Sequence, residues 1–141
     1  MPHEFVHTRR VEFAETDMAG IAHYTNFFKW MEETEHAFFR SLGLSIVHRT
    51  DDGLVSWPRV SVGCDYARPA LFEDEITVRL RVDKRAARSL TFSFRFFKGD
   101  SQIAKASSTS VCCRIRAGHK LESIDIPPLF DAIAAAPEAA P

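Results

Sequence analysis

One broad apolar helix pattern, followed by a succession of alternating strand patterns, constrains this chain more than any other feature. From Tyr24 to about Leu42, the residues Phe27, Met31, Thr34, Phe38 and Leu42 recur every three or four positions, the spacing of one helix face. Phe28, Trp30, Ala37 and Phe39 widen that stripe beyond the apolar face of an ordinary surface helix. Such a helix must be largely wrapped by other structure. Lys29, Glu32, Glu33, His36 and Arg40 fill the remaining strip, and Gly43 follows as a helix stop.

Ahead of the helix, Phe5 to Phe13 reads as a strand with Phe5, His7, Arg9, Val11 and Phe13 on one face. After the polar turn at Asp51-Asp52-Gly53, three runs alternate apolar with polar residues. They are Val60-Val62-Cys64-Tyr66, Ile76-Val78-Leu80-Val82 and Leu90-Phe92-Phe94-Phe96, and each offers one apolar face. Asp83 to Ser89 and Lys98 to Ser101 read as hairpin connections. A last, long strand is expected from about Gln102 to Arg116, and Leu129 to Ile133 as a helical turn. Strands grouped after a single helix define an α+β class, with a sheet curled around that helix. Residues 1–133 form the expected domain, and 134–141, rich in Ala and Pro, a flexible tail. Cys112 or Phe97 among the Thr, Ser and Arg of the outer sheet face points to association between subunits.

Charge and composition exclude several classes. Across 141 residues the formal net charge is −1, which does not suit a nucleic-acid binder that neutralises phosphates. No apolar run approaches the roughly 20 residues of a membrane-spanning helix. The N-terminal Met1-Pro2-His3-Glu4 lacks the basic head and apolar core of a secretory signal, so a cytoplasmic location is expected. Cys64, Cys112 and Cys113 show no CxxC spacing. Adjacent residues of a strand point to opposite faces, so no shared metal is expected and small buried thiols are. Neither a GxSxG elbow nor a phosphate-cradling glycine loop is present.

The stretch from Glu15 to Asn26 carries the chemistry. Asp17 sits in a short loop with Gly20, just before the helix. A carboxylate facing the first turn of a helix places an anionic base or nucleophile beside unpaired backbone N–H groups, which can bind a developing oxyanion. That pairing suits acyl transfer. The same Asp17 could instead accept backbone N–H bonds as an Asx turn.

These residues carry a family resemblance. Val11-Glu12-Phe13 through Asp17-Met18-Ala19-Gly20-Ile21, then His23-Tyr24-Thr25-Asn26-Phe27-Phe28, resembles the 4-hydroxybenzoyl-CoA thioesterase branch of the hotdog-fold acyl-CoA thioesterases. The likeness continues through Phe38 to Leu44 and Tyr66 to Ile76. It implies a hotdog fold, a five- to six-stranded antiparallel sheet around one long helix. It further implies a homo-oligomer, a dimer or a dimer of dimers (a homotetramer), with sites at the subunit interface. The D-x-N-x-x-H pattern of hydratase relatives is absent.

Carried over residue by residue, the resemblance makes Asp17 the catalytic carboxylate. It would attack the thioester carbonyl or act as base on water, and both routes stay open. The backbone N–H of Tyr24 or Thr25 would donate to the oxyanion, and Gly20 would allow close backbone approach. His23 could orient Asp17, protonate the leaving thiolate or line the acyl pocket, or simply pack. Asn26 would position the loop or cap the helix. Glu32 is an outside candidate on an otherwise solvated strip. Lys84, Arg85 and Arg88, with Arg68 and Arg114, could bind the phosphates of coenzyme A, and Trp57 and Pro58 could line the acyl pocket. The expected function is hydrolysis of an acyl-CoA thioester to a carboxylic acid and free CoA, with no cofactor beyond the CoA of the substrate. The alternatives are an acyl-carrier-protein thioesterase and a non-catalytic acyl-CoA-binding module.

Overall fold

The computed structural model describes residues 4–118 and 120–137. Two antiparallel sheets and one long helix make up its frame. The larger sheet contains β1 (Glu4–Arg10), β4 (Arg59–Tyr66), β5 (Glu75–Arg85), β6 (Ser89–Lys98) and β7 (Ser101–Val111), in the order β1-β5-β6-β7-β4. The helix α1 (Asn26–Ser41) packs against the face of this sheet. A smaller sheet joins β2 (His48–Thr50), β3 (Gly53–Ser56), β8 (Cys113–Ile115) and β9 (Leu121–Ser123) in the order β2-β3-β8-β9.

Two of the three period-two runs, those of β5 and β6, choose the inner face as predicted. Ile76, Val78, Leu80 and Val82 of β5 and Leu90, Phe92, Phe94 and Phe96 of β6 are all buried. Opposite them lie Phe27, Trp30, Met31, Phe38 and Phe39 of α1. Rings meet across this layer, Phe27 with Phe96 at 5.1 Å and Phe38 with Phe92 at 6.1 Å. Each such side chain contributes roughly 1.5–3 kcal/mol by leaving water. The helix closes as a Schellman cap. The Leu44 N–H donates to the Phe39 carbonyl, the Gly43 N–H donates to that of Arg40, and Gly43 takes φ +73°.

Several expectations are corrected. The first strand ends at Arg10, and Phe13–Glu15 forms a 3-10 turn, which leaves Phe13 exposed. The helix starts two residues later than expected, at Asn26. The long last strand is broken at Cys112, whose N–H donates to the Arg88 carbonyl, so the chain passes from one sheet to the other there. That break also lets both Cys112 and Cys113 be buried. The apolar run of β4 is only partly covered: Val60 is 63% and Val62 46% exposed, while Cys64 packs against the core and the Tyr66 ring lies 5.0 Å from that of Phe27. Among the described residues β4 is an edge strand paired with β7; α1 packs mainly on β1 and β5 toward the far side of the sheet and reaches β4 through the Arg59–Glu35 pair at 2.7 Å.

The expected helical turn near the C-terminus is a 3-10 turn, Pro128–Phe130. Phe130 and Ile133 are buried. The tail, expected to be flexible from residue 134, is held as far as Pro137: the Ala136 N–H donates to the Val82 carbonyl, and Arg81 donates to that of Pro137. Residues 138–141 lie outside the described residues. Arg85 clamps this segment by donating to the carbonyls of Phe130 and Ile133. Arg85→Met is expected to lower the unfolding free energy by about 2 kcal/mol, because it strips two carbonyls of a charged donor. It should also open the chain beyond Ile124 to limited proteolysis. Wild-type resistance and an unchanged denaturation midpoint would show that Phe130 and Ile133 hold the segment by packing alone.

Candidate active site

The loop before α1 is a miniature hairpin. Thr16 bridges Ala22, the Asp17 N–H donates to the Ile21 carbonyl at 2.9 Å, and the Gly20 N–H returns to the Asp17 carbonyl at 2.9 Å. Gly20 takes φ +79°, a conformation that side chains with a Cβ rarely adopt. The loop is fastened to its neighbour by the Ala22 N–H, which donates to the Ala70 carbonyl at 2.7 Å, and by the bridge between Ile21 and Leu71.

Asp17 stands at the head of this hairpin. Its Oδ1 accepts the Ala19 N–H at 2.8 Å, so the Asx turn is present. The turn orients the carboxylate without neutralising it, because among the described residues Asp17 has no ion pair. Asp17 lines a cleft of about 470 Å³ with Ile21, Tyr24, Phe27, Tyr66 and Arg68. A second hollow on its other side is bordered by Phe13, Met18 and Phe72.

The helix start faces the same cleft. Thr25 is the N-cap, with helical φ and no side-chain cap bond. The N–H groups of Asn26, Phe27 and Phe28 are satisfied by the carbonyls of His23, Tyr24 and Thr25. The Thr25 N–H leans on His23 Nδ1 at 3.4 Å, whereas the Tyr24 N–H has no acceptor among the described residues. Of the two amides expected as oxyanion donors, Tyr24 is thus the free one. The Tyr24 carbonyl is held by the Tyr66 hydroxyl at 2.8 Å. Burial first, then the neighbouring Cys64, pushes Tyr66 up to about 12, so this phenol stays protonated and donating.

Other predicted residues divide sharply. Asn26 Nδ2 donates to the carbonyls of Glu15 at 2.7 Å and His23 at 3.2 Å, which is a positioning role. His23 does not orient Asp17: its Nδ1 faces the Thr25 hydroxyl at 2.7 Å and its ring lies 4.6 Å from that of Tyr24. Arg68 lies on the cleft and donates to Ser101 at 3.0 Å. Trp57 does not line the cleft. It is buried against Phe39 and Phe130, because β3 and the C-terminal segment close over it.

Glu32 borders a separate groove between α1 and β4, 3.8 Å from Arg59. The hairpin cations are also elsewhere. Arg85 is spent on the C-terminal segment, Arg88 is bound to Asp125 at 2.9 Å and to Ser123, and Lys84 is exposed outside the cleft.

Sequence reasoning missed Glu15 and Tyr66. Glu15 is buried, and its carboxylate accepts both Nη atoms of Arg9 at 2.7 and 2.8 Å, with Trp30 Nε1 at 2.9 Å. Burial alone would raise its pKa. The hydrogen bonds from the Glu12 N–H, Trp30 and Lys29, with the Arg9 charge, outweigh that and hold it below the ordinary value. An acidic residue in a polar-looking loop carries no mark of burial, so no local signal could have found it.

Comparison with known proteins gives the family. The chain belongs to the thioesterase superfamily, whose family model matches residues 19–105. A protein of Aquifex aeolicus named as a candidate esterase is 35% identical over 120 residues, covering 85% of this chain and 91% of that one. The solved structure of a gentisyl-coenzyme A thioesterase superposes with a TM-score of 0.80 at 30% identity, covering 90% of this chain and 99% of that one. The 4-hydroxybenzoyl-CoA thioesterase of Pseudomonas sp. (strain CBS-3) is 23% identical over 125 residues, covering 84% of this chain and 89% of that one. The fold is the expected α+β hotdog, and the enzyme class is thioester hydrolase.

The charge on Glu15 has a pH signature. Its folded pKa lies below the ordinary 4.5, so its stabilisation is complete above that value and is lost as pH falls through the lower folded value. Buried Glu35 has the opposite sign: burial raises it despite Arg59, so the folded state gains relative stability as pH falls through its raised value. Glu15→Gln is therefore expected to flatten the loss of melting temperature between about pH 6 and about pH 3, and Glu35→Gln to steepen it. Parallel profiles for wild type and both variants would contradict this.

Proposed function

We propose that this chain hydrolyses acyl-CoA thioesters to a carboxylic acid and free CoA, with Asp17 as the reacting carboxylate and the Tyr24 N–H as oxyanion donor. One observation carries the reading. Asp17, whose carboxylate has no ion pair among the described residues, and Tyr24, whose N–H has no acceptor among them, line one largely apolar cleft. As the thioester carbonyl becomes tetrahedral, its oxygen takes the charge and the Tyr24 N–H stabilises it. The Asp17 oxygen not held by Ala19 either attacks the carbonyl, giving a mixed anhydride that water then opens, or takes a proton from the attacking water. In both routes the C–S bond breaks and the CoA thiolate leaves.

The acyl group is proposed to be a hydroxylated benzoyl. Tyr24, Phe27 and Tyr66 give the cleft an aromatic wall, and of the similar proteins one is named for a 4-hydroxybenzoyl and another for a gentisyl thioester of coenzyme A. Arg68 at the cleft is the cation best placed for a CoA phosphate. Coenzyme A is favoured over an acidic carrier protein because Arg85 and Arg88 are occupied within the chain. The exposure of Val60 and Val62 on edge strand β4 supports a homo-oligomer, a dimer or a dimer of dimers. Three free thiols suit a reducing, cytoplasmic setting.

A panel of thioesters from acetyl- to palmitoyl-CoA, with hydroxybenzoyl- and phenylacetyl-CoA, tests the reading by release of free thiol. Hydroxybenzoyl-CoA should turn over fastest, and Asp17→Asn should lower kcat by about 100- to 10,000-fold with the fold retained. Full turnover by folded Asp17→Asn would sink the assignment of that residue. Tight acyl-CoA binding without hydrolysis would make the chain a binding module.

A further inference from the structure

A second carboxylate, two residues before Asp17, is buried where it cannot meet a substrate. The Glu15 side chain is 3% exposed as a residue, and both of its oxygens are filled. Oε1 accepts Arg9 Nη1 at 2.7 Å and the Glu12 N–H at 2.8 Å. Oε2 accepts Arg9 Nη2 at 2.8 Å, Trp30 Nε1 at 2.9 Å and Lys29 Nζ at 3.2 Å. The Arg9 guanidinium itself lies 5.1 Å from the Trp30 ring centre and donates through Nε to Glu33 at 3.0 Å. The main chain of Glu15 is engaged too. Its carbonyl accepts the His23 N–H at 2.8 Å and Asn26 Nδ2 at 2.7 Å.

Strand β1, the first turns of α1 and both ends of the catalytic loop therefore converge on one residue. Asp17 leaves the loop two positions after Glu15, and Tyr24 follows directly on His23, which Glu15 holds. Displacement of Glu15 would move the carboxylate and the oxyanion donor relative to each other. A misplacement of about 1 Å in such a pair can cost on the order of 100-fold in rate. The requirement is for a carboxylate. Glutamine offers one oxygen and one NH2 group, and that NH2 would face the N–H donors of Arg9, Trp30 or Lys29.

We propose that Glu15 is the positioning residue of this site, setting the separation between the Asp17 carboxylate and the Tyr24 N–H. The inference rests on the thioesterase reading given above. It acts through the loop and not on the substrate, so the rate should move while binding does not.

The test compares Glu15→Gln and Trp30→Phe with the wild type. Trp30→Phe keeps an aromatic ring and removes one donor. Glu15→Gln is expected to lower kcat by about 10- to 100-fold, with KM changed by less than about threefold, and Trp30→Phe to lower kcat by about 3- to 10-fold. Amide hydrogen exchange should quicken at residues 16–25 in both variants and stay unchanged in β5, β6 and β7.

Wild-type kcat in Glu15→Gln overturns the proposal, as does a rise in KM alone or exchange that quickens equally throughout. If Glu15→Gln fails to fold, wild-type kcat and loop exchange in Trp30→Phe overturn it. Failure of the underlying reading looks different: the wild type cleaves no thioester, or Asp17→Asn cleaves as well as wild type. Loop exchange in Glu15→Gln then decides the positioning role alone, and an unchanged rate at residues 16–25 refutes it.

Discussion

The packing of α1 against the larger sheet is the constraint on which the site depends. With Phe27, Trp30, Met31, Phe38 and Phe39 buried against β5 and β6, the helix has little freedom to slide or turn, because interiors packed to crystal density resist both. Its first turn is thereby fixed beside the loop that carries Asp17. The short i to i+3 bonds made by Asn26, Phe27 and Phe28 consume the donors of that turn. The Tyr24 N–H has no acceptor among the described residues, and its place is set by the bonds that flank it and not by a side-chain cap.

Two buried carboxylates show how the number of donors decides the sign of a charge's effect. Glu15 has five hydrogen bonds to its carboxylate and is held ionised below its usual pKa. Glu35 has one strong partner, Arg59 at 2.7 Å, and burial pushes it the other way. Burying an ion is costly unless its lone pairs are met. Around Glu15 they are met by groups from three separate segments, so the charge ties those segments together. Around Glu35 the same desolvation is only partly offset.

Tertiary contact also reassigns residues whose local appearance suggests another role. Arg85 and Arg88 belong to a basic turn that looks suited to phosphate, yet Arg85 holds the carbonyls of Phe130 and Ile133 and Arg88 binds Asp125 and Ser123. Trp57 has the size and chemistry of a pocket wall but is sealed between Phe39 and Phe130. In each case the decisive neighbour arrives from some 30 or more residues away, or from another element altogether, so a local reading had no access to it.

The inner and outer faces of β5 and β6, the one long helix, its Gly43 stop and the loop bearing Asp17, Gly20 and Tyr24 were legible in the order of residues. These depend on periodicity and on local backbone preference, which neighbours in sequence express directly. The end of β1, the break at Cys112, the smaller sheet, the exposure of Val60 and Val62 on β4 and the burial of Glu15 were not. They were decided by which distant segment supplies a hydrogen bond or covers a surface. A repeating pattern says which side of a strand is apolar; only the assembled molecule says whether anything lies against it.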